Sequence, residues 1–181
     1  MNPWHDVDDK MVKDDEFMVV NEVKKGSRLK YEVCKDTGML ILDRVLATAT
    51  HFPCNYGFIP RTLSEDGDPL DALILMSEAI EPLCIVKCVP VGVLEMIDNG
   101  ERDEKILAVP LHKKGQYRKP LTDISQVSED FLAELSHFFQ VYKGLDVDNE
   151  VKIRPIMGKN DAKKVIKEAM ELYKKKFGGK K

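Results

Sequence analysis

Tryptophan is almost missing from this 181-residue chain, which has a single one at Trp4, and no surplus of basic charge makes up for it: the formal net charge is −3. A groove that stacks unpaired bases needs aromatic platforms in a basic setting, so nucleic acid is not expected as a partner. Long apolar runs are missing as well. None approaches the roughly 20 residues of a membrane span, and the opening Met1-Asn2-Pro3-Trp4-His5-Asp6 lacks the basic-then-apolar order of a secretory signal. No membrane association and a cytoplasmic location are the expectation. The cysteines Cys34, Cys54, Cys84 and Cys88 follow no CxxC-type spacing, which points to reduced thiols rather than zinc ligands or disulfides, with Cys84 and Cys88 read as small core residues in an apolar run. Repeats, low-complexity tracts and Pro/Gly-rich linkers are absent too. Residues 1–181 are therefore expected to form one domain, long enough for one core and short for two. The acidic balance does not exclude an anionic substrate, because metal ions can invert the sign of a local site.

What is present reads as strands followed by helices. Phe17–Val23 and Leu29–Val33 flank Lys24-Lys25-Gly26-Ser27, a hairpin signature. Asp36-Thr37-Gly38 turns the chain into Met39–Arg44. The Val/Ile-rich run Ile85–Ile97 contains Pro90 and reaches Asp98-Asn99-Gly100, where Asn-Gly predicts a second hairpin returning as Lys105–Val109. Ser128 can cap a helix with Phe131, Leu132, Leu135, Phe138, Phe139 and Tyr142 on one face, ending at Gly144. A second helix starts near Asn160-Asp161, buries Ala162, Val165, Ile166, Ala169, Met170 and Tyr173, and places Lys174, Lys175 and Lys176 against its C-terminal dipole. Five or so strands and two helices predict an α+β fold, a small antiparallel barrel with the helices packed outside.

The chemistry is concentrated in Glu65-Asp66-Gly67-Asp68-Pro69-Leu70-Asp71. Three aspartates this close repel one another, and Pro69 keeps the segment out of a helix interior. On an extended chain Asp66 and Asp68 share a side. Spacing alone serves an acidic surface turn as well as a metal-binding segment. An EF-hand is excluded, since its glycine and glutamate positions fall on Asp71 and Ser77. Carboxylates without nearby Cys or His favour a hard cation such as Mg²⁺ or Mn²⁺ over zinc. Asp98 and Asp103 flank the Asn-Gly turn, where opposed like charges destabilise a hairpin unless a cation bridges them; a solvated loop is the alternative. Lys30 and Glu32 share a strand face, with Glu22 opposite if the first hairpin centres on Gly26. Arg44 and Lys105 add cations. Singly these are ordinary surface charges; together they match the needs of phosphoryl transfer, which are positioning and charge neutralisation.

These residues resemble the soluble family I inorganic pyrophosphatases along nearly the whole chain. Asp66-Gly67-Asp68-Pro69-Leu70-Asp71 fits that family's D-x-D-P-x-D signature. Lys30-Tyr31-Glu32, Asp43-Arg44, Pro53-Cys54-Asn55-Tyr56-Gly57-Phe58, Pro90–Leu94 and Phe138-Phe139 leading to Tyr142-Lys143 surround it in order. The opening Asn2–Asp6 and Gly57–Thr62 look most like plant-type and related bacterial members.

The resemblance implies an OB-like five-stranded antiparallel β-barrel with two main helices outside and the site at its mouth. It implies hydrolysis of pyrophosphate to phosphate with several Mg²⁺ ions per site, for which Mn²⁺ or Zn²⁺ can substitute. By position, Asp66, Asp71 and Asp103 would bind the activating ions with Asp98 beside them. Asp68 would be the general base next to the metals, and Glu22 and Glu32 would hold metals arriving with substrate. Lys30, Arg44, Tyr56, Lys105, Tyr142 and Lys143 would grip the phosphates, the first three counting with Asp68 as catalytic. A homo-oligomer is implied, commonly a hexamer in bacteria. The chain departs from the family in two places. Phe52 stands where many members have Tyr, and of two helix histidines common in bacterial hexamers only His137 is present, with Val141 at the other place. A nucleic-acid module and a two-metal hydrolase of another phosphate ester are the rival readings, because fold and metals do not fix a substrate.

Overall fold

The computed structural model describes residues 1–111, 121–145 and 151–178. Its elements are β1 (Phe17–Val23), β2 (Leu29–Val33), β3 (Leu40–Val45), β4 (Asn55–Phe58), β5 (Asp71–Ile74), β6 (Ile85–Asp98), β7 (Glu101–Pro110), α1 (Glu129–Val141), β8 (Val151–Ile153), β9 (Met157–Gly158) and α2 (Lys159–Phe177). Among these residues no helix is long and apolar enough to cross a membrane.

The long β6–β7 hairpin is the frame. Its turn needs positive φ at two successive residues, and Asn99 and Gly100 supply φ of 51° and 88°. Pro90, which has no N–H to give, lies where the ladder shifts register between Pro90 and Gly92. The sheet runs β1-β4-β5-β7-β6-β8, with β9 also on β6 and β1 also pairing with β6 through Phe17–Val20. Gly57 of β4 lies so close to β1 that an added Cβ would meet the Val20 carbonyl oxygen at 1.9 Å, so only glycine fits there.

The expected OB-like five-stranded antiparallel barrel is corrected by this pairing. The described strands form a seven-stranded mixed sheet in which β5 and β7 run parallel, and β2–β3 is a separate two-stranded sheet. The hairpin expected at Lys24–Ser27 is also absent. β1 and β2 do not pair; instead Gly26 N–H donates to the Phe52 carbonyl and Phe52 N–H to that of Ser27. Turn residues bend the chain locally but do not choose the partner strand.

The α+β class and the two helices stand, although the helices cover opposite faces of the sheet. Leu73, Leu94, Met96, Leu107 and Val109 pack with Leu135, Phe138 and Phe139 of α1. Their strand neighbours Ala72, Ile74, Val93, Ile106 and Ala108 pack with Ala162, Ile166 and Ala169 of α2. Strands buried on both faces read as unbroken apolar runs, which is why β6 and β7 do not alternate. Ser128 caps α1 by accepting from Phe131 N–H. α2 begins after Gly158 with no side-chain cap, one residue before Asn160-Asp161.

Candidate active site

One end of the frame opens into a cavity of about 190 Å³, with carboxylates, lysines and tyrosines for walls. Its inner wall is the parallel β5–β7 pair, whose register sets Asp71 beside Lys105. The Lys105 ammonium donates to Asp71 Oδ2 at 2.6 Å and Asp103 Oδ1 at 2.9 Å. The side chain is 2% exposed. Burial alone would depress it, but Asp103 and Asp71 outweigh burial and hold it above the ordinary lysine range. The rings of Phe139 and Tyr56 face the same ammonium at 5.3 and 5.7 Å. Tyr56 donates its hydroxyl to Asp71 Oδ2 at 2.6 Å, and burial, then Asp71, push the phenol well up. Asp71 itself is raised, burial outweighing the help of Lys105.

Glu22 reaches this wall from β1. The β1–β4 ladder slips between Asn21 and Val23, so Glu22 sits at a bulge, a device that re-aims a side chain. Its Oε1 accepts from Val33 N–H at 2.7 Å, tying β1 to β2 without a hairpin. Burial lifts its carboxyl to about 8.

The rim is built from loops and strand ends. Glu65–Asp68 is a turn rather than the extended segment expected: Gly67 has φ of 90°, and Asp66 Oδ1 accepts from Asp68 N–H at 2.9 Å. Asp66 and Asp68 nevertheless both line the cavity. Burial first, then Asp103, raises Asp66. Lys30 contacts Glu32 and lies 3.3 Å from Asp43; burial works against its charge, but Glu32 and Asp43 keep it raised. Lys143, on the far side, donates to Asp98 Oδ2 at 2.6 Å and lies 5.5 Å from the Tyr142 ring centroid.

Of the thirteen residues singled out in the sequence, the cavity wall contains all but Arg44. Arg44 pairs with Lys30 across β2–β3 and donates Nε to Asp43 Oδ2 at 2.8 Å, so it joins the site through Asp43. Asp98 and Asp103 are not opposed in the hairpin; the register sets Asp98 against Glu101 and Asp103 against Met96. Their convergence is a matter of the cavity, not of the strand pair. The sequence reading missed Lys35, which lines the cavity and contacts Asp68. It lies past the end of β2, where strand alternation says nothing about direction.

The donor set suits a hard divalent cation. It is all oxygen, and Asp98 Oδ1 is buried with no hydrogen-bond partner among the described residues. Asp66 and Asp71 are raised because burial and neighbouring carboxylates oppose their charge, a penalty that a cation would relieve. Among the described residues no three carboxylates converge tightly enough to enclose an ion by themselves. That is consistent with Mg²⁺, which keeps several waters and takes one or two carboxylates plus substrate phosphates.

Fold and cavity together define a class: an α+β protein whose acidic, lysine-studded pocket handles a small polyanion with divalent metal. Comparison with known proteins narrows it. The family model described as inorganic pyrophosphatase matches residues 19–174. Soluble inorganic pyrophosphatase 2 of Chlamydomonas reinhardtii is 42% identical over 97% of this chain and 90% of its own. Among solved structures, the inorganic pyrophosphatase of Thermus thermophilus has a TM-score of 0.86 at 36% identity, covering 96% of this chain and 99% of that one. That of Helicobacter pylori has 0.85 at 41%, covering 90% and 95%. The chain belongs to the inorganic pyrophosphatase family.

Proposed function

We propose that this chain hydrolyses inorganic pyrophosphate to two phosphates with Mg²⁺, and that residues 1–181 act as one domain. The observation that carries the reading is the meeting of Asp66, Asp68, Asp71, Asp98 and Asp103 with Lys30, Lys105 and Lys143 on one cavity. Diphosphate resists water mainly because its charge repels a nucleophile, so a catalyst must position reactants and neutralise charge.

Asp66, Asp71 and Asp103 would hold the activating ions, with Asp98 and Asp68 beside them. Glu22 and Glu32 would hold those entering with substrate. Mn²⁺ and Zn²⁺ are the candidate substitutes. When bound, the metal acts as a Lewis acid that lowers the pKa of water and screens phosphate charge. Asp68 accepts the proton of the attacking water at its carboxylate. The Lys105 ammonium keeps its charge between two carboxylates, and with Lys30, Lys143, Tyr56 and Tyr142 it stabilises negative charge on the phosphates. Asp43 holds Arg44 beside Lys30 for the same task. A cytoplasmic homo-oligomer is part of the reading. Its support is the set of exposed apolar side chains at Met39, Ile41, Leu42 and Val45, on and just before β3.

The test measures phosphate release from pyrophosphate, nucleoside triphosphates and DNA side by side, with Mg²⁺ or with EDTA. Release from pyrophosphate with Mg²⁺, lost in EDTA, is the expected result. A preference for triphosphates or DNA would overturn the substrate, and release that survives EDTA would overturn the metal.

A further inference from the structure

We infer that Lys35 is a positioning residue for Asp68, and that the N-terminal segment Asn2–Val7 is the strap that holds Lys35 in place. The inference rests on the reading of Asp68 as the proton acceptor.

Asp68 is fixed at its backbone but not, by that, at its carboxylate. Its carbonyl accepts from Ser64 N–H at 2.7 Å and its own N–H donates to Asp66 Oδ1 at 2.9 Å. The carboxylate is free to turn about χ1 unless something outside the loop holds it. Among the described residues its hydrogen-bond donor is the Lys35 ammonium, at Oδ1. This leaves Oδ2 for another partner, as a proton acceptor requires.

A lysine makes a poor restraint by itself, because its four-carbon stem gives up much rotamer freedom in one geometry. The restraint must come from its backbone. Lys35 opens the turn between β2 and β3, closed by Cys34 N–H to the Met39 carbonyl and Gly38 N–H to that of Cys34, both at 2.8 Å. The N-terminal segment clamps this turn from outside. Asn2 Nδ2 donates to the Lys35 carbonyl at 2.6 Å. Gly38 packs so closely on the segment that a Cβ there would meet the Met1 carbonyl oxygen at 2.6 Å and Asn2 Cα at 2.8 Å.

The other end of the strap is anchored to the stretch leading into the aspartate loop. Trp4 Nε1 donates to the Thr62 carbonyl at 2.8 Å, Arg61 N–H to that of Trp4 at 3.0 Å, and Arg61 Nε to that of Val7 at 2.8 Å. Trp4 and His5 also pack against Tyr173 and Phe177 of α2. One short segment thus joins the two parts of the chain that bring Lys35 and Asp68 together. The Lys35 and Asp68 side chains are 51% and 48% exposed, and an ion pair so exposed adds little to folding stability. Its contribution lies in orientation.

The test compares Lys35→Met, Lys35→Arg and Asn2→Ala with the parent chain. For Lys35→Met we expect kcat for pyrophosphate to fall about tenfold, since a slightly misplaced reactive group costs rate steeply, while KM and melting temperature hold. Lys35→Arg should restore most of the rate, and Asn2→Ala should fall in the same direction but less. Three-bond J couplings at Asp68 should report one dominant χ1 rotamer in the parent and averaging in Lys35→Met. This arm needs no activity, so a parent chain inactive on pyrophosphate would defeat the proposed reaction while the couplings still decide the positioning. Unchanged kcat, a loss confined to KM, or an Asp68 rotamer indifferent to Lys35 would each overturn the inference.

Discussion

Lys105 and Lys35 both bind aspartates across the same cavity, yet the Lys105 side chain is 2% exposed and that of Lys35 is 51% exposed. The inner wall of β5, β7 and Glu22 stands in a low-dielectric setting, where each charge is set by its partner and removing one leaves the other stranded. The rim of Asp66, Asp68 and Lys35 is wetter and made of turns, where pairing is weak in energy but still fixes direction. The difference separates two jobs. The wall stores a charge pattern that folding must accommodate, and on the proposed reaction the rim would aim groups at substrate.

The largest effect should come from breaking the wall. Lys105→Met leaves Asp71 and Asp103 without the ammonium that bonds both. Loss of one partner of a buried pair costs about 3–5 kcal/mol, so the urea midpoint at neutral pH should drop by that equivalent. Added Mg²⁺, or acid that protonates the two aspartates, should recover part of the loss. A midpoint near that of the parent chain would mean that the wall is as wet as the rim. On the rim, Asp68→Asn should do the reverse. We expect kcat to fall about 100-fold or more, as for loss of a general base, with pyrophosphate binding and melting temperature close to the parent. Near-normal turnover would remove Asp68 from the base role.

Glu22 gives the comparison a pH axis. Its folded carboxyl titrates at about 8 against an ordinary 4.5, chiefly through burial. Between those values the folded state binds the extra proton, so this group makes stability fall as pH rises from about 4.5 to about 8 and leaves it level beyond. Urea midpoints measured in EDTA across that window should show the decline, and Glu22→Gln should flatten it. A parent chain with constant midpoints from pH 5 to 8 would show Glu22 to be solvated.

Legibility followed the same division. Features set by local chemistry were readable: positive φ at Asn99-Gly100, the Ser128 cap, the apolar stripes of both helices, and the acidic signature at Asp66–Asp71. Features set by tertiary pairing were not. β4 and β5 are four residues each, too short for a period to show, and the parallel β5–β7 pair joins segments some thirty residues apart. The Lys24–Ser27 turn was recognised but its strands were wrongly paired, because nothing local says that Phe52 is the partner of that turn. Twelve of the thirteen residues singled out line one cavity, and it was the family resemblance more than spacing that singled them out. Lys35 escaped both routes. It belongs to no strand face, and only the folded strap shows why a lysine in a turn should point at Asp68.

Phe52 offers the smallest test, one placed between wall and rim. Its ring is 2% exposed, lies 5.5 Å from that of Tyr56 and 4.9 Å from that of Phe138, and does not line the cavity. Whatever Phe52 does for the site therefore passes through Tyr56, whose hydroxyl holds Asp71, or through Phe138, which stacks on Tyr142. Phe52→Tyr adds one hydroxyl to that tilted ring packing. A single hydrogen bond is worth about 1 kcal/mol net, so KM for pyrophosphate should move by no more than about fivefold and kcat should stay. A fall in kcat without a change in KM would show instead that the new hydroxyl draws Tyr56 away from Asp71, and that the aromatic packing behind the wall is tuned as closely as the charges on it.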